Sequence, residues 1–402
     1  MKQTTVDLII VGGGPAGLST ALHLLQLDPA WASRMIILEK SRYPRDKLCG
    51  GGLTRLGLDV LSRLGLSLDV PHVPVQEVHL HYRAYHYRLL SEPVFVVVHR
   101  REFDAWLARV VQAQGVTILE NEGVTEVAVQ DDGVLITTRR SQFRARALVA
   151  ADGSNSTVRR RLAWGKGHKA RLLEVLTPRT AFDSSFDSST AVFDWDVLDL
   201  GIQGYYWDFP ALVDGKPVVN RGVFDSRFLA YPAGTSLPSA LEAMLARRGV
   251  NLGNFALQGH PIHWLNPAVP LARPRVLLAG DAAGADPLLG EGISFALGYG
   301  QVAAETLHHA FHTKDFRFAE YDERVRQHPI LRQLRARHLG ARILFKSLKW
   351  PWSLPWLWRA APWLFRVMAQ VRPDYFPLDH RRMFPGVSPS GSLPASSFAT
   401  KI

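Results

Sequence analysis

Near its start the chain reads Val6-Asp7-Leu8-Ile9-Ile10-Val11-Gly12-Gly13-Gly14-Pro15-Ala16-Gly17. An apolar run that enters a glycine-rich turn, with helix-forming residues just beyond it, predicts a strand, a tight turn and a helix N-terminus. Gly12 permits the sharp turn, Gly14 lets the backbone approach a pyrophosphate, and Gly17 lets the helix pack closely on the strand. Free N–H groups and the helix dipole attract an anion at such a turn. The stretch therefore predicts a phosphate-binding turn.

A second short apolar run, Met35-Ile36-Ile37-Leu38, ends at Glu39. An acid in this place accepts hydrogen bonds from the ribose hydroxyls of an adenosine group. The glycine turn alone could simply join a strand to a helix. Together with the second strand and its acid, it predicts a dinucleotide site, and the two motifs leave the choice between NAD and FAD open.

Composition limits the class of protein. With 402 residues and 47% hydrophobic content, the chain can bury a substantial core, and its length suits two connected domains. Cys49 is the single cysteine, which excludes an intrachain disulfide and indicates a reducing compartment. The apolar run from Leu8 to Val11 is too short for a signal peptide, so we expect a cytoplasmic start.

The formal charge of +11 is unevenly distributed. From Arg317 to the end there are 15 Lys and Arg residues against 5 Asp and Glu residues. This excess indicates an anionic partner near the C-terminal region, with phospholipid and nucleic acid as the two obvious candidates.

Three further stretches could contact a bound dinucleotide. Lys47-Leu48-Cys49-Gly50-Gly51-Gly52 indicates backbone lying very close to a bound group, with a flexible surface loop as the alternative. One predicted strand ends in Asp152-Gly153, and another ends in Gly280-Asp281 before a helix over Ile293 to Phe311. Asp281 can bond sugar hydroxyls, while N–H groups at the helix start face a phosphate or a flavin carbonyl.

Between the first two of these stretches the pattern predicts a helix over Thr54 to Leu64, capped by Thr54, and separate strands over 75–87 and 94–98. The first strand carries His79, His81 and His86. Because no cysteine and no carboxylate cluster accompanies them in sequence, we expect these histidines to face outward, and we predict no metal site.

Short strands and aromatic residues dominate the segment 164–270. Its most distinctive run is Tyr205-Tyr206-Trp207-Asp208-Phe209-Pro210, in which Tyr205, Trp207 and Phe209 fall on one side of a strand. Such a stripe is typical either of an aromatic core or of a large apolar substrate pocket.

The C-terminal region predicts an amphipathic helix after His328-Pro329, with apolar residues at helical spacing and a basic flank. Prolines and arginines then interrupt the sequence too often for a membrane span. Cations beside tryptophans suit the lipid headgroup region, so an anionic membrane surface is one partner. The alternative is that this helix docks on the body of the protein or at a dimer interface. Residues 388–402 have the composition of a mobile end. The tryptophans of this region are Trp350, Trp352, Trp356, Trp358 and Trp363.

The predicted fold class is mixed α/β, with a Rossmann-like dinucleotide domain, an antiparallel-sheet substrate domain and a helical C-terminal region. The first domain takes 1–163 with 271–316, the second takes 164–270 with part of 71–98, and the third takes 317–402.

In this order, the glycine turn with Glu39, the Asp152 edge and the Asp281 edge resemble the FAD-binding framework of the para-hydroxybenzoate hydroxylase superfamily over about residues 6 to 311. The resemblance implies that FAD is bound and that Arg100, in an Arg-x-x-Phe-Asp stretch, contacts the middle of the cofactor. The full set of implied cofactor residues is Gly12, Gly14, Pro15, Ala16, Gly17, Glu39, Lys40, Lys47, Cys49, Gly50, Arg100, Asp152, Gly153, Gly280, Asp281, Gly290, Gly292 and Ile293.

Within that superfamily, the Cys49 stretch and the Tyr-x-Trp-x-Phe-Pro run look most like the geranylgeranyl reductase family. Its members reduce isolated double bonds in polyprenyl chains, and an aromatic run followed by Gly-x-Gly lines their isoprenoid pocket. Here the corresponding stretch is Asn220-Arg221-Gly222, in which Asn220 stands in place of the first glycine. The resemblance implies an isoprenoid substrate, with Cys49 either a catalytic proton donor or a packing residue. The implied substrate residues are Tyr205, Trp207, Phe209, Pro210 and Gly222.

Two other functions remain open. The same fold serves flavin monooxygenases and halogenases, and a flavin-bearing membrane electron carrier is a third class. The electron-carrier function lacks support because the chain has no set of cysteines for an iron–sulfur cluster. Nucleic-acid binding also lacks support, because the sequence contains no motif that reads nucleic acid. The sequence has no second glycine fingerprint for a resident nicotinamide cofactor, so we expect transient NAD(P)H or a protein donor to reduce the flavin. We assign no oligomeric state.

Overall fold

The glycine turn joins the central strand of a parallel sheet to a buried helix. The computed structural model describes residues 3–165, 167–230, 234–350, 352–360 and 383–385. The described helices, in chain order, are α1 (Pro15–Leu27), α2 (Trp31–Arg34), α3 (Arg55–Arg63), α4 (Arg100–Ala113), α5 (Thr157–Arg161), α6 (Leu237–Ala246), α7 (Ile293–Thr313), α8 (Tyr321–Gln327) and α9 (Gln333–Ser347).

The described strands form two sheets. In chain order they are β1 (Gln3–Val11), β2 (Met35–Leu38), β3 (Gly52–Thr54), β4 (His72–Tyr82), β5 (Tyr85–Val98), β6 (Thr117–Leu119), β7 (Val124–Gln130), β8 (Gly133–Thr138), β9 (Gln142–Ala150), β10 (His168–Thr177), β11 (Thr190–Asp194), β12 (Gly204–Val213), β13 (Lys216–Asp225), β14 (Gln258–Trp264), β15 (Ala272–Arg273), β16 (Val276–Leu278) and β17 (Met383–Pro385).

The first sheet has the strand order β15-β16-β9-β1-β2-β6, with β8 added beside β9 and β7 beside β8. Strands β16, β9, β1, β2 and β6 run parallel, so their carboxyl ends meet at one edge. Helices α1, α4 and α7 bury apolar side chains in the core of this layer. The predicted phosphate turn therefore lies at the edge where ligands of parallel sheets bind.

The second sheet has the order β14-β10-β13-β12-β11-β4-β5-β17, with β3 beside β5. Strand β12 has an alternating pattern, so Tyr205, Trp207 and Phe209 share one face and Tyr206 and Asp208 the other. The first face packs in one aromatic core and the second lies against α6. The sheet thus supplies an aromatic wall on the side where the cavity lies.

Two expectations about the segment 54–98 need correction. Thr54 is the N-cap residue of α3 as predicted, but its side chain makes no capping hydrogen bond; its Oγ1 instead donates to Glu291 Oε1 at 2.7 Å. The chain from 72 to 98 is one hairpin, β4 and β5, instead of separate strands over 75–87 and 94–98. Its turn at Arg83 has a φ of 51° and contains none of the residues that usually mark a turn, so the pattern concealed it.

The strand histidines do not all face outward. His79 is buried, its Nε2 lies 2.8 Å from Glu77 Oε1, and Phe186 packs against its ring. Folding also brings Asp194 and Asp196 beside His81, which sequence spacing could not reveal. Both carboxylates have arginine partners, Arg248 at 2.7 Å and Arg247 at 2.8 Å, and therefore act as ion-pair partners.

The predicted C-terminal helix is α9, and its apolar face docks on the body. Phe345 is fully buried and contacts Phe228. Residues 353–360 are also helical, and the carbonyl of Trp358 accepts a hydrogen bond from Tyr87 Oη at 2.7 Å. No helix in the described part of the chain is long and apolar enough to cross a membrane. Trp363 and the end 388–402 lie outside the described residues.

Candidate functional site

A cavity of about 480 Å³ lies between the two sheets. Its lining brings together most of the predicted cofactor and substrate residues, although these come from stretches far apart in sequence. Three predicted residues, Gly17, Pro210 and Gly222, are not in the lining. The predicted residues that do line it are Gly12, Gly14, Pro15, Ala16, Glu39, Lys40, Lys47, Cys49, Gly50, Arg100, Asp152, Gly153, Tyr205, Trp207, Phe209, Gly280, Asp281, Gly290, Gly292 and Ile293.

The glycine turn has the geometry of a phosphate cradle. Gly12 has a φ of +105°, and a Cβ there would lie 2.3 Å from the Ala151 carbonyl oxygen. A Cβ on Gly17 would lie 2.0 Å from the Gly12 carbonyl oxygen, so Gly17 permits close packing of α1 on β1 from outside the cavity. A Cβ on Gly14 would meet nothing nearer than Arg45 Nη2 at 3.9 Å. Gly14 therefore leaves open space for a ligand at the helix N-terminus.

Glu39 is held beside this turn. The Gly13 N–H donates to Glu39 Oε2 at 2.9 Å, and the Ser41 N–H donates to Oε1 at 3.0 Å. Arg45 lies 3.3 Å from the Glu39 carboxylate and 3.0 Å from Asp104 Oδ2. The carboxylate is thus oriented at the cavity edge by two backbone donors and one guanidinium.

Arg45 belongs to a buried charge network that also fixes Arg100. Asp104 accepts two hydrogen bonds from Arg100, at 2.7 and 2.8 Å, while it also pairs with Arg45. Bidentate pairing holds the Arg100 guanidinium in one orientation. Sequence reasoning missed Arg45 and Asp104, although Asp104 ends the Arg-x-x-Phe-Asp stretch and Arg45 lies two residues before Lys47.

Lys47 and Asp281 carry opposite charges into the cavity. Burial lowers the pKa of Lys47, against the opposing attraction of Asp281. Asp281 Oδ2 accepts a hydrogen bond from Ser154 Oγ at 2.9 Å. The cavity therefore offers a cation, a carboxylate and the first turn of α7 to a bound group.

Asp152 has a structural task in addition to its place in the lining. Its Oδ2 accepts hydrogen bonds from the N–H groups of Thr157 at 2.6 Å and Val158 at 3.2 Å. These are among the first N–H groups of α5, which have no partner within the helix. Burial raises the pKa of Asp152. Its predicted contact with a cofactor stays a prediction.

The Cys49 segment packs on the second sheet. The Cys49 N–H donates to Glu174 Oε1 at 3.4 Å, and the Cys49 carbonyl accepts a hydrogen bond from Asn220 Nδ2 at 3.3 Å. Asn220 Oδ1 accepts in turn from Trp207 Nε1 at 2.9 Å. The segment is a supported wall of the cavity with fixed partners, which differs from a flexible surface loop.

Beyond Cys49 the cavity is aromatic. The Tyr205 hydroxyl donates to the Leu289 carbonyl at 2.6 Å, and Phe209 packs 5.0 Å from Phe193 and 5.4 Å from Phe95 between ring centroids. The stripe on β12 is thus both part of the aromatic core and a wall of the cavity. The apolar and aromatic lining residues are Phe95, Leu172, Phe193, Tyr205, Trp207, Phe209, Phe224, Ile262 and Leu289.

Gly222 lies behind this wall. A Cβ there would lie 2.3 Å from Trp207 Cζ2 and 2.4 Å from the Leu173 carbonyl oxygen. Gly222 therefore permits the close approach of the Trp207 ring and lies outside the cavity lining; its predicted contact with a substrate stays a prediction. Pro210 is likewise buried in β12 outside the lining.

A loop over 286–292 closes the cavity beside α7 and is tied to the C-terminal region. Arg337, on α9, lies 2.8 Å from Asp286 Oδ2 and 3.1 Å from Glu291 Oε2. Sequence reasoning missed this link and also missed Glu174. A charged residue within the apolar run Leu172-Leu173-Glu174-Val175-Leu176 was the signal that could have identified Glu174.

Comparison with known proteins agrees with this geometry. Residues 5–193 match the family model described as FAD binding domain. The menaquinone reductase of Mycolicibacterium smegmatis is 28% identical over 340 residues, which cover 76% of this chain and 77% of that protein. Digeranylgeranylglycerophospholipid reductase 1 of Methanothermobacter thermautotrophicus is 25% identical over 353 residues, with coverage of 81% and 83%.

Among solved structures, a geranylgeranyl bacteriochlorophyll reductase-like protein from Thermoplasma acidophilum superposes with a TM-score of 0.72. The sequence identity is 21%, and the match covers 86% of this chain and 88% of that chain. These findings confirm the predicted fold class and the resemblance to the geranylgeranyl reductase family. The family match also supports FAD as the dinucleotide.

Proposed function

We propose that this chain is an FAD-dependent oxidoreductase of the para-hydroxybenzoate hydroxylase-like superfamily that reduces carbon–carbon double bonds in an isoprenoid chain of a lipid or quinone. The observation that carries the proposal is the aromatic chamber formed by Phe193, Tyr205, Trp207 and Phe209, which belongs to the same cavity as the phosphate cradle. An apolar chain could lie there beside the redox group.

The residues of the cavity fit FAD. The open space at Gly14 and the N-terminus of α1 suit a pyrophosphate, Glu39 suits the adenosine ribose, and Arg100 suits the middle of the cofactor. Asp281 and the start of α7, at Gly292 and Ile293, would face the ribityl and flavin end. When bound, reduced FAD supplies a hydride equivalent.

The protein's own contribution is orientation, exclusion of water and a proton. The aromatic walls would hold an alkene in a dry site, and the Cys49 segment would lie at the junction between the chamber and the cofactor end. Cys49 is our candidate for the group that delivers the proton. Turnover of Cys49→Ala with flavin occupancy intact tests that role, because unchanged reduction would remove Cys49 from the mechanism.

The decisive experiment uses anaerobic, reduced protein with menaquinone and with polyprenyl diphosphates, followed by mass spectrometry. We expect a gain of two hydrogens for each reduced bond. Activity that appears only with oxygen, or with oxygen and halide, would instead support a monooxygenase or halogenase. Reduction by NADH, NADPH or a protein donor, followed through the flavin absorbance, identifies the reductant.

An anionic membrane surface is the second part of the proposal. Five exposed apolar side chains form what we term the Trp-rich patch: Leu339, Ile343, Trp350, Trp352 and Trp356. Exposed cations flank them on and after α9, including Arg342, Lys346 and Lys349. Tryptophans beside cations suit the headgroup layer of an anionic bilayer. Docking there would bring the enzyme to a lipid substrate.

A further inference from the structure

Glu174 is a buried carboxyl group in which one oxygen makes no hydrogen bond to the described residues. It lies in β10, on the side of the sheet that also carries Leu172 of the cavity lining, and it is 6% exposed. Its Oε1 accepts from the Cys49 N–H at 3.4 Å, while Oε2 has no hydrogen-bond partner among the described residues. An ionised carboxylate is costly to bury in this way, so the site favours a protonated acid.

Two other buried acids in the same sheet, Asp208 and Asp194, are paired with arginines. Asp208 is paired with both Arg221 and Arg248, and Asp194 is paired with Arg248 at 2.7 Å. Glu174 has no such arginine among the residues described. The groups that face it are the Asn220 amide, the Cys49 segment and Lys47. Among the described residues, Glu174 thus lacks the arginine partner that Asp194 and Asp208 have in the same sheet.

The titration of the surrounding groups agrees with this geometry. Burial raises the pKa of Glu174 to about 7, against the lowering influence of the Cys49 N–H, Asn220 and Lys47. Burial lowers the pKa of His260, which lines the cavity from β14, to about 4. His260 is therefore neutral near pH 7, while Glu174 can both hold and release a proton there.

We propose that Glu174 is a positioning residue that supports the Cys49 segment and stores the proton with which the Cys49 thiol is restored after each reduction. This inference rests on the proposed function. For each double bond, the π bond breaks and two C–H bonds form, one from the hydride equivalent of the reduced cofactor and one from the thiol proton. The Glu174 O–H bond then breaks to re-protonate the thiolate, and solvent re-protonates Glu174.

The first test needs neither substrate nor turnover. Cys49 is the single cysteine, so iodoacetamide alkylation reports on that thiol alone. In the purified protein we expect the alkylation rate to change as Glu174 titrates near neutral pH. Glu174→Gln, which mimics the protonated acid, should lack this change and react at least about threefold faster than the wild type above neutral pH, because the carboxylate charge that opposes formation of the reacting anion is absent. Glu242→Gln, an exposed acid on α6, is the matched control.

Infrared spectroscopy provides a second readout in the same samples. A carbonyl band of a protonated carboxylic acid should titrate near neutral pH in the wild type and be missing in Glu174→Gln. Glu174→Asp should retain a titrating band if it folds. A carboxylate that is ionised over the whole range, or an alkylation profile of Glu174→Gln that overlays the wild type, would overturn the proposal.

With active enzyme, Glu174→Gln should lower kcat, remove one limb of its pH profile and leave KM within about twofold. A protein that reduces no isoprenoid would refute the proposed function, whereas the alkylation and infrared results would still decide whether Glu174 stores a proton beneath Cys49. A change in KM alone would overturn the proton-storing role.

Discussion

Arg337 Nη1 lies 2.8 Å from Asp286 Oδ2, and this ion pair joins the C-terminal helix α9 to the loop that closes the cavity. Asp286 is completely buried, and the same guanidinium contacts Glu291 at 3.1 Å. One arginine of the basic C-terminal region therefore supports the cavity wall, in contrast to the exposed cations of the same helix.

Arg337→Gln should destabilise the protein by about 3 kcal/mol, because it leaves two carboxylates without their cation. Chemical denaturation measures this loss, and flavin occupancy should fall as the loop over 286–292 loosens. Arg342→Gln, an exposed residue of the same helix, should change the free energy of unfolding by less than about 0.5 kcal/mol. Equal effects of the two variants would contradict the structural role of Arg337.

Gly14→Ala and Gly17→Ala should separate cofactor binding from folding. A Cβ on Gly17 would clash with backbone at 2.0 Å, so Gly17→Ala should cost about 2 kcal/mol of stability or more. Gly14 has an ordinary extended backbone and open space around it, so Gly14→Ala should fold normally and lose FAD occupancy. The flavin-to-protein absorbance ratio and the thermal midpoint measure the two effects. A Gly14→Ala protein with full flavin would contradict the cradle assignment.

Gly222→Ala should disturb the aromatic chamber from behind. The added Cβ would lie 2.3 Å from Trp207 Cζ2, and displacement of that ring should cost about 1–3 kcal/mol. Tryptophan fluorescence and chemical denaturation measure the change. Gly52→Ala is the control, since its nearest contact would be an ordinary 3.7 Å to Phe95. A spectrum identical to that of the wild type would show that Trp207 does not depend on Gly222.

His328 should make the protein sensitive to acid. Burial lowers the pKa of this histidine to about 4, below its unfolded value of about 6.5. Between these values the unfolded state binds more protons, so stability contributed by neutral His328 is complete above about pH 6.5 and is lost as the pH falls toward 4.

His328→Gln should therefore reduce the loss of unfolding free energy between about pH 6.5 and about pH 4.5 by about 1–2 kcal/mol. Denaturation at the two pH values measures the difference. His309→Gln, an exposed histidine of α7, should leave the pH dependence as it is. An unchanged slope in His328→Gln would exclude this residue as a source of acid sensitivity.

The Trp-rich patch should bind anionic vesicles. Trp352 and Trp356 are 71% and 64% exposed, and their joint replacement by alanine should weaken binding at least about tenfold. Sedimentation with vesicles of phosphatidylglycerol and phosphatidylcholine at low salt provides the measurement. Leu257→Ala removes an exposed leucine outside the patch and should bind as the wild type does. A wild type that ignores these vesicles would refute the membrane proposal.

Much of the dinucleotide end of the site could be predicted because its signals are local. The glycine turn constrains the backbone within a few residues, and Glu39, Asp152 and Asp281 each follow a buried strand. Parallel strands then bring their carboxyl ends to one edge whatever the intervening sequence. The same reasoning placed Thr54 at the start of α3 but missed that its hydroxyl bonds Glu291, and it failed at the turn near Arg83, where tertiary contacts override weak local preferences.

The sequence by itself determined a glycine-rich turn between strand and helix, an aromatic stripe and a basic amphipathic helix, since these depend on spacing along one strand or helix. Tertiary structure decided that Glu174 lies beneath Cys49, that Arg45 and Arg100 share Asp104, and that Arg337 supports the cavity loop. These partners come from different strands, loops and helices. Their proximity depends on sheet register and on how the two layers pack, which no short sequence pattern encodes.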